Sequence, residues 1–104
     1  MHVISRKKLT EAVKKHGGKL APPLDSWYRV AKHARWRSLD DVQRSYAYAD
    51  GVIVGKGSAK RVYTVFNICG NDFRLVTEIF YSDQTILLRH VLTHAEYDRE
   101  DWKK

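Results

Sequence analysis

The chain has 104 residues, of which 43% are hydrophobic and 30% charged, with one cysteine and a formal net charge of +7 at pH 7. This length and composition predict a single folded domain over residues 1–104 and exclude a disordered chain. The lone cysteine excludes an internal disulfide, and no apolar run reaches the roughly 20 residues of a membrane span, so we expect a cytoplasmic protein that does not enter a membrane.

The first half of the chain predicts a short strand followed by helices. Ser5 is a candidate cap for the first helix, and the pair Gly17-Gly18 ends it. Pro22 and Pro23 precede the second helix, because proline suits a first helical turn. The predicted elements are a strand at His2–Ile4 and helices from about 6 to 16, from Leu24 to about Trp36, and from a capping box at Ser38 to about Ser45.

The second half changes to the alternating pattern of β-strands. Strands are predicted at Val52–Val54, Arg61–Ile68, Phe73–Tyr81 and Thr85–Thr93, with a short helix in the tail from His94 to Lys104. The loop Gly55–Lys60 is basic, but its glycines lack the spacing of a phosphate-binding Walker loop. Helices followed by an antiparallel sheet predict an α+β fold, with the N-terminal helices packed on a small sheet.

Two turns set the expected register of this sheet. A turn centred on Gly70-Asn71 places Asn67 opposite Arg74, and a turn centred on Asp83-Gln84 places Glu78 opposite Arg89. Side chains alternate between the faces of a strand, which gives one face for the core and one for other roles. The predicted core face is Val62, Phe66, Ile68, Phe73, Leu75, Ile79, Leu88 and Leu92. The predicted second face is Asn67, Arg74, Glu78, Arg89 and Thr93, with Val65, Val76, Val91 and Phe80 among them.

The second face carries the candidate chemistry. Arg74 and Arg89 are expected to converge on it, and a basic chain favours a polyanionic partner such as nucleic acid, a ribosome or an acidic protein. Arg89 opposite Glu78 also fits a plain cross-strand ion pair. His94 and Tyr97 follow the last strand and are placed to act as acid or base.

Several blocks resemble one family of proteins. The stretch VFNICGNDFRLVTEIFY, followed by LLRHVLTHAEYD, resembles the HigB family of bacterial toxins within the broader RelE/ParE-like group. The upstream LDSWYRVAKHARWRSLDDV is similar to the Trp-Tyr helix of that family and the turn after it. The matched positions are Asn67, Gly70, Asn71, Arg74, Arg89, Thr93, His94, Tyr97 and Asp98, whereas Cys69 stands where the family usually has glycine.

The resemblance implies the toxin of a type II toxin–antitoxin system, acting as a ribosome-dependent mRNA endonuclease with no metal and no cofactor. Its implied partners are mRNA on the ribosome and a HigA-like helix-turn-helix antitoxin, and it allows a higher-order toxin–antitoxin complex. The implied catalytic residues are Arg74, Arg89, His94 and Tyr97, and the implied RNA-binding residues are Lys56, Lys60, Arg61, Asn67 and Asn71.

Two alternatives stay open at this point. One is a ParE-like toxin that does not cleave RNA, and the other is a basic module that binds nucleic acid or an antitoxin without catalysis. Which of His94 and Tyr97 is the acid and which is the base is also open, and a Tyr97 base requires that neighbouring cations lower its pKa.

Overall fold

The chain folds as an α+β structure, and the computed structural model describes residues 1–103. Lys104, the last residue of the predicted tail helix, lies outside the described residues. The sheet has five strands in the order β1-β5-β4-β3-β2. Neighbouring strands from β2 to β5 are antiparallel, whereas β1 runs parallel to β5, so the sheet is mixed where a wholly antiparallel one was predicted.

The strands follow the sequence prediction closely. They are β1 (His2–Ile4), β2 (Asp50–Val54), β3 (Arg61–Ile68), β4 (Phe73–Phe80) and β5 (Thr85–Thr93). Only β2 and β4 differ from the prediction, by one or two residues at an end.

The helices are α1 (Lys7–His16), α2 (Ala21–His33), α3 (Leu39–Ser45) and α4 (His94–Asp98). Pro22 and Pro23 lie inside the first turn of α2, so that helix begins before the predicted Leu24. The predicted cap at Ser5 is wrong, because Ser5 has a positive φ of 70° and Arg6 precedes the helix without a side-chain cap. None of the helices formed by residues 1–103 has the length and apolar character that crossing a bilayer requires.

The β3–β4 hairpin has the predicted register. Asn67 lies opposite Arg74 and Phe66 opposite Leu75. The connection is a four-residue loop from 69 to 72, in which Cys69 and Gly70 both have positive φ, 57° and 67°. Cys69 therefore adopts the left-handed conformation that glycine accepts without strain.

The β4–β5 hairpin differs from the prediction in its turn, which is centred on Ser82-Asp83 instead of Asp83-Gln84, and it also contains a β-bulge. Near the loop Phe80 pairs with Thr85 and Thr77 with Leu88, but farther on Val76 pairs with His90. Arg89 is thus the extra residue and has no backbone partner across β4. The predicted pair Glu78–Arg89 is wrong in register, because Glu78 lies opposite Leu87. Farther along the hairpin, Arg74 lies opposite Leu92.

Both faces of the sheet are covered. On one face the helices bury a core with Trp27, Phe66, Leu75 and Ile86 at its centre. The other face, called here the outer face, holds a smaller cluster of Val54, Val65, Val76 and Trp102. Trp102 comes from a 3₁₀ turn at Asp101–Lys103 that lies against the sheet.

The bulge also corrects the predicted faces. Leu92 packs in the outer-face cluster and Val91 against the helix-face core, the reverse of the prediction. Thr93 lies opposite Phe73 instead of joining the outer face. Val62 was predicted in the core but is 53% exposed.

Candidate active site

The helix α4 is fixed by a capping box at its first turn. The Thr93 side chain accepts a hydrogen bond from the Glu96 backbone N–H at 3.1 Å, and the Glu96 carboxylate accepts from the Thr93 N–H at 2.9 Å. The His94 backbone N–H donates to the Asp72 carbonyl at 3.0 Å. These bonds hold α4 against the β3–β4 loop.

Arg74 lies between that loop and α4. Its Nη1 donates to the Asn71 carbonyl at 3.0 Å and to the Phe73 carbonyl at 3.2 Å. Its guanidinium carbon is 5.6 Å from the centre of the Tyr97 ring, which is cation–π contact. Asn67 Nδ2 donates to Asn71 Oδ1 at 3.4 Å.

His94 is paired with a carboxylate on its own helix. His94 Nδ1 is 2.9 Å from Asp98 Oδ2, and both side chains are more than half exposed. A carboxylate on Nδ1 favours the tautomer with the proton there, so that Nε2 is the acceptor nitrogen of the neutral ring. Asp98 was matched to the family but given no role from sequence. The four-residue spacing from His94 on a predicted helix is the signal that points to it.

We call this group the turn site: Asn67, Asn71, Arg74, His94, Tyr97 and Asp98.

Tyr97 contradicts one expectation. Burial raises the pKa of its hydroxyl, and Asp50 adds to that effect, against the smaller lowering by Lys103 and Arg74. The cations therefore do not activate Tyr97 as a base. A protonated tyrosine donates hydrogen bonds, so this hydroxyl is suited to the role of an acid.

Arg89 belongs to a separate cluster on the same face. Its Nη2 donates to Glu78 Oε1 at 2.6 Å, and the Arg61 guanidinium is 3.8 Å from the same oxygen. The Arg89 guanidinium also lies over the Tyr63 ring at 5.7 Å. Glu78 is only 8% exposed, so its charge is held by these two arginines. The predicted contact between Arg89 and Glu78 thus forms, although the backbone register differs.

Three stacked rings separate the two arginines. Tyr97 stacks on Trp102 at 5.0 Å, and Trp102 stacks on Tyr63 at 6.3 Å. Arg74 covers the Tyr97 end of this stack and Arg89 the Tyr63 end. The outer face therefore presents two cationic positions, where the sequence predicted one convergent pair.

The predicted RNA-binding residues divide between these positions. Asn67 and Asn71 belong to the turn site, and Arg61 belongs to the Glu78 cluster. Lys56 and Lys60 are exposed in the loop between β2 and β3, which leads directly into Arg61. The three basic residues therefore lie near the Arg89 end of the outer face.

The chain is similar to known toxins over most of its length. Residues 20–100 match the HigB toxin family, described as the RelE-like toxic component of a toxin–antitoxin system. The chain is 25% identical over 99 residues to an mRNA interferase HigB of Escherichia coli O6:H1 (strain CFT073), covering 95% of this chain and 90% of that protein. It is 47% identical over 34 residues to the mRNA interferase toxin HigB of Escherichia coli strain K12, covering 33% of each chain.

Proposed function

The chain belongs to the HigB toxin family of RelE-like toxic components of toxin–antitoxin systems, and on that premise we propose that it is an mRNA endonuclease that cleaves messages on the ribosome. The observation that carries the proposal is the turn site, where the His94–Asp98 pair lies on the helix whose Tyr97 ring contacts Arg74. A base, an acid and a cation are the three groups that RNA cleavage without a metal needs.

We assign the base to His94. Its Nε2 takes the proton of a ribose 2′-hydroxyl, and the 2′-oxygen then attacks the adjacent phosphorus. The bond from phosphorus to the 5′-oxygen of the next nucleotide breaks, which leaves a 2′,3′-cyclic phosphate on one product. Asp98 keeps the imidazole oriented and stabilises its charge once the proton has arrived.

We assign charge stabilisation to Arg74 and the acid to Tyr97. The developing negative charge on the phosphate oxygens suits a guanidinium, which presents paired N–H donors. Tyr97 gives its proton to the departing 5′-oxygen, in keeping with the raised pKa of its hydroxyl. Asn67 and Asn71 supply amide groups beside the phosphate.

We assign RNA binding to the other end of the outer face. Arg89, Arg61, Lys56 and Lys60 hold the strand on either side of the reacting bond, through phosphate contacts that need no base identity. In this assignment Arg89 binds RNA and does not touch the reacting atoms, because the ring stack separates it from Arg74.

A member of this family has an antitoxin partner. We propose that the antitoxin is a HigA-like helix-turn-helix protein, that the pair can form a higher-order complex, and that the toxin works in the cytoplasm, where translating ribosomes are. The activity needs no metal or cofactor, because residues of the turn site supply the acid, the base and the cation.

The test is to add the purified chain to translating ribosomes and to map the ends of the message. The proposal predicts new 5′-hydroxyl ends and 2′,3′-cyclic phosphates, and no cut where a deoxynucleotide removes the attacking hydroxyl. New ends bearing 5′-phosphate would contradict the mechanism. Intact messages at concentrations of the protein that stop growth would contradict the activity and favour a toxin that does not cleave RNA.

A further inference from the structure

A second basic surface adjoins the outer face at the edge of the sheet. A cleft of about 250 Å³ lies between α1 and β5. Its lining residues are Lys8, Glu11, Ala12, Lys15, His16, Arg89, His90, Val91 and Leu92. We call it the α1–β5 cleft. It is present because β1 pairs only with residues 85–87 of β5, which leaves the rest of that strand edge to be covered by α1.

The bulge brings two basic side chains of β5 to the same side. Arg89 contacts Glu78 and the Tyr63 ring on the outer face. His90 lies directly opposite Val76, whose side chain belongs to the outer-face cluster. Directly opposed residues share a face, so His90 also lies on the outer side. A regular strand would have placed these two neighbours on opposite faces.

Cations of α1 form the opposite wall. Lys8 Nζ donates to the Arg89 carbonyl at 3.2 Å, which fixes the ammonium across the cleft. Lys15 follows two turns later and contacts Glu96 of α4 at a long 3.9 Å. Three cations and two histidines thus share the lining with Glu11. Glu78 and Glu96 contact Arg89 and Lys15 from outside the lining. In addition, Arg89 Nε is buried and has no hydrogen-bond partner among residues 1–103.

The titration of His90 fits a positive local field. Its pKa is lowered, first by burial and then by the charges of Lys8 and Arg89. Both cations disfavour a positive charge on His90, and the same field favours an anion in the cleft.

The cleft is continuous with the turn site. Leu92 lines it and lies opposite Arg74 on the neighbouring strand. Lys15 reaches Glu96, which caps the helix that carries His94 and Tyr97. A nucleic acid strand leaving the turn site across β5 therefore enters the cleft within about one strand spacing, close to 5 Å.

We propose that the α1–β5 cleft binds a backbone phosphate of RNA next to the one that is cleaved, held by Lys8, Lys15 and Arg89. The inference rests on the proposed function, and it adds a contact that extends the RNA path beyond the outer face. The small volume of the cleft suits a single phosphate and its sugar better than a protein segment.

Two double variants of α1 form a matched pair for the test. Lys8→Gln with Lys15→Gln removes two charges from the cleft, and Lys7→Gln with Lys14→Gln removes the same two charges one residue earlier, outside the lining. Helix, residue type and net charge are identical in the two proteins. If the first pair proves unfolded by circular dichroism, Lys15→Gln against Lys14→Gln repeats the comparison without the Lys8 contact.

The probes are a single-stranded RNA with 2′-O-methyl groups, which cannot be cleaved, and vacant ribosomes. Binding is measured over a range of salt concentrations. We expect the cleft variant to bind about tenfold more weakly, with a salt slope smaller by about 0.7 for each phosphate that the protein no longer neutralises, and the control to match wild type. Weaker binding of the oligonucleotide supports a message phosphate in the cleft. Weaker binding of ribosomes alone would overturn the proposal, because the contact would then be to ribosomal RNA and not beside the cleaved phosphate.

Equal binding by the two variants in both assays would overturn the proposal that the cleft binds a phosphate. If the wild-type protein in the same preparation still cleaves messages, the proposed function stands without this contact. A wild-type protein that neither cleaves messages on ribosomes nor binds either probe would overturn both.

Discussion

At the scale of single residues, the proposed roles of the turn-site residues follow from the contacts of each side chain. Sequence pairing correctly placed Asn67 opposite Arg74, because turn chemistry fixes that register. The sequence did not show which residue is the acid and which is the base. The pKa of Tyr97 depends on its burial, and Tyr97 stacks on Trp102, a residue of the tail that no sequence pattern placed beside the hairpin. Burial outweighs Arg74 and Lys103 at this hydroxyl and disfavours the phenolate that a tyrosine base would need.

Tyr97→Phe tests this assignment. The ring, its stacking on Trp102 and the contact with Arg74 are kept, and only the hydroxyl is removed. We expect the single-turnover rate of mRNA cleavage on ribosomes to fall by about 10²-fold, the lower end for acid–base groups. Thermal stability should stay close to that of wild type.

Tyr63→Phe is the matched control, because Tyr63 stacks on the other side of the same Trp102. It should cleave at the wild-type rate. Equal rates for the two variants would remove Tyr97 from the acid role.

At the scale of elements, the sequence predicts where the strands lie but not the bulge in β5. Alternation located β3, β4 and β5 nearly to the residue, since period-2 patterns are strong in half-buried strands. Beyond Leu88 the pattern is ambiguous, because Val91 and Leu92 are adjacent apolar residues and either can face the core. One extra residue at Arg89 exchanges their faces, and no residue type in that stretch marks it.

The capping box of α4 predicts a pH-dependent contribution to stability. Hydrogen bonds from Thr93 lower the pKa of Glu96 below its ordinary value of 4.5. A lowered folded-state pKa means that the stabilisation is complete above about pH 4.5 and is lost as pH falls through the folded value. Thr93→Ala should lower the free energy of unfolding by about 1 kcal/mol at pH 7.

Glu96→Gln is the direct check of the pH effect. The difference in unfolding free energy between wild type and this variant, from urea denaturation, should shrink between about pH 6 and about pH 3. Glu11→Gln on α1 is the control of equal charge change. A difference that stays constant over this range would exclude the carboxylate as the source.

At the scale of the whole molecule, the C-terminal segment completes the outer face. The α+β class and the helix-face core follow from patterns in the sequence. Trp102 does not, because it is a single aromatic residue in a charged tail, with no periodicity to assign it to a face. Its ring nevertheless lies between Tyr63 and Tyr97 and is 7% exposed. Its ring stacks on the Tyr97 ring that Arg74 contacts and on the Tyr63 ring that Arg89 contacts, and in the proposed function it separates the reacting end of the surface from the RNA-binding end.

Trp102→Ala should therefore lower the free energy of unfolding and remove the ring that lies between the two arginine positions. Truncating a buried tryptophan costs about 3 kcal/mol, which urea denaturation measures directly. Tyr48→Ala is the control, because Tyr48 is 82% exposed and its removal should change the unfolding free energy by no more than about 0.5 kcal/mol. Similar values for the two variants would show that the ring stack does not hold the outer face.

We propose that RNA is cleaved at the turn site with His94 as the base. The most direct measurement is the single-turnover rate of mRNA cleavage on ribosomes for His94→Ala beside His33→Ala, an exposed histidine in the last turn of α2. We predict a loss of about 10² to 10⁴-fold for His94→Ala, an intermediate loss for Asp98→Asn, and the wild-type rate for His33→Ala. A folded His94→Ala protein that cleaves at the wild-type rate would contradict the account.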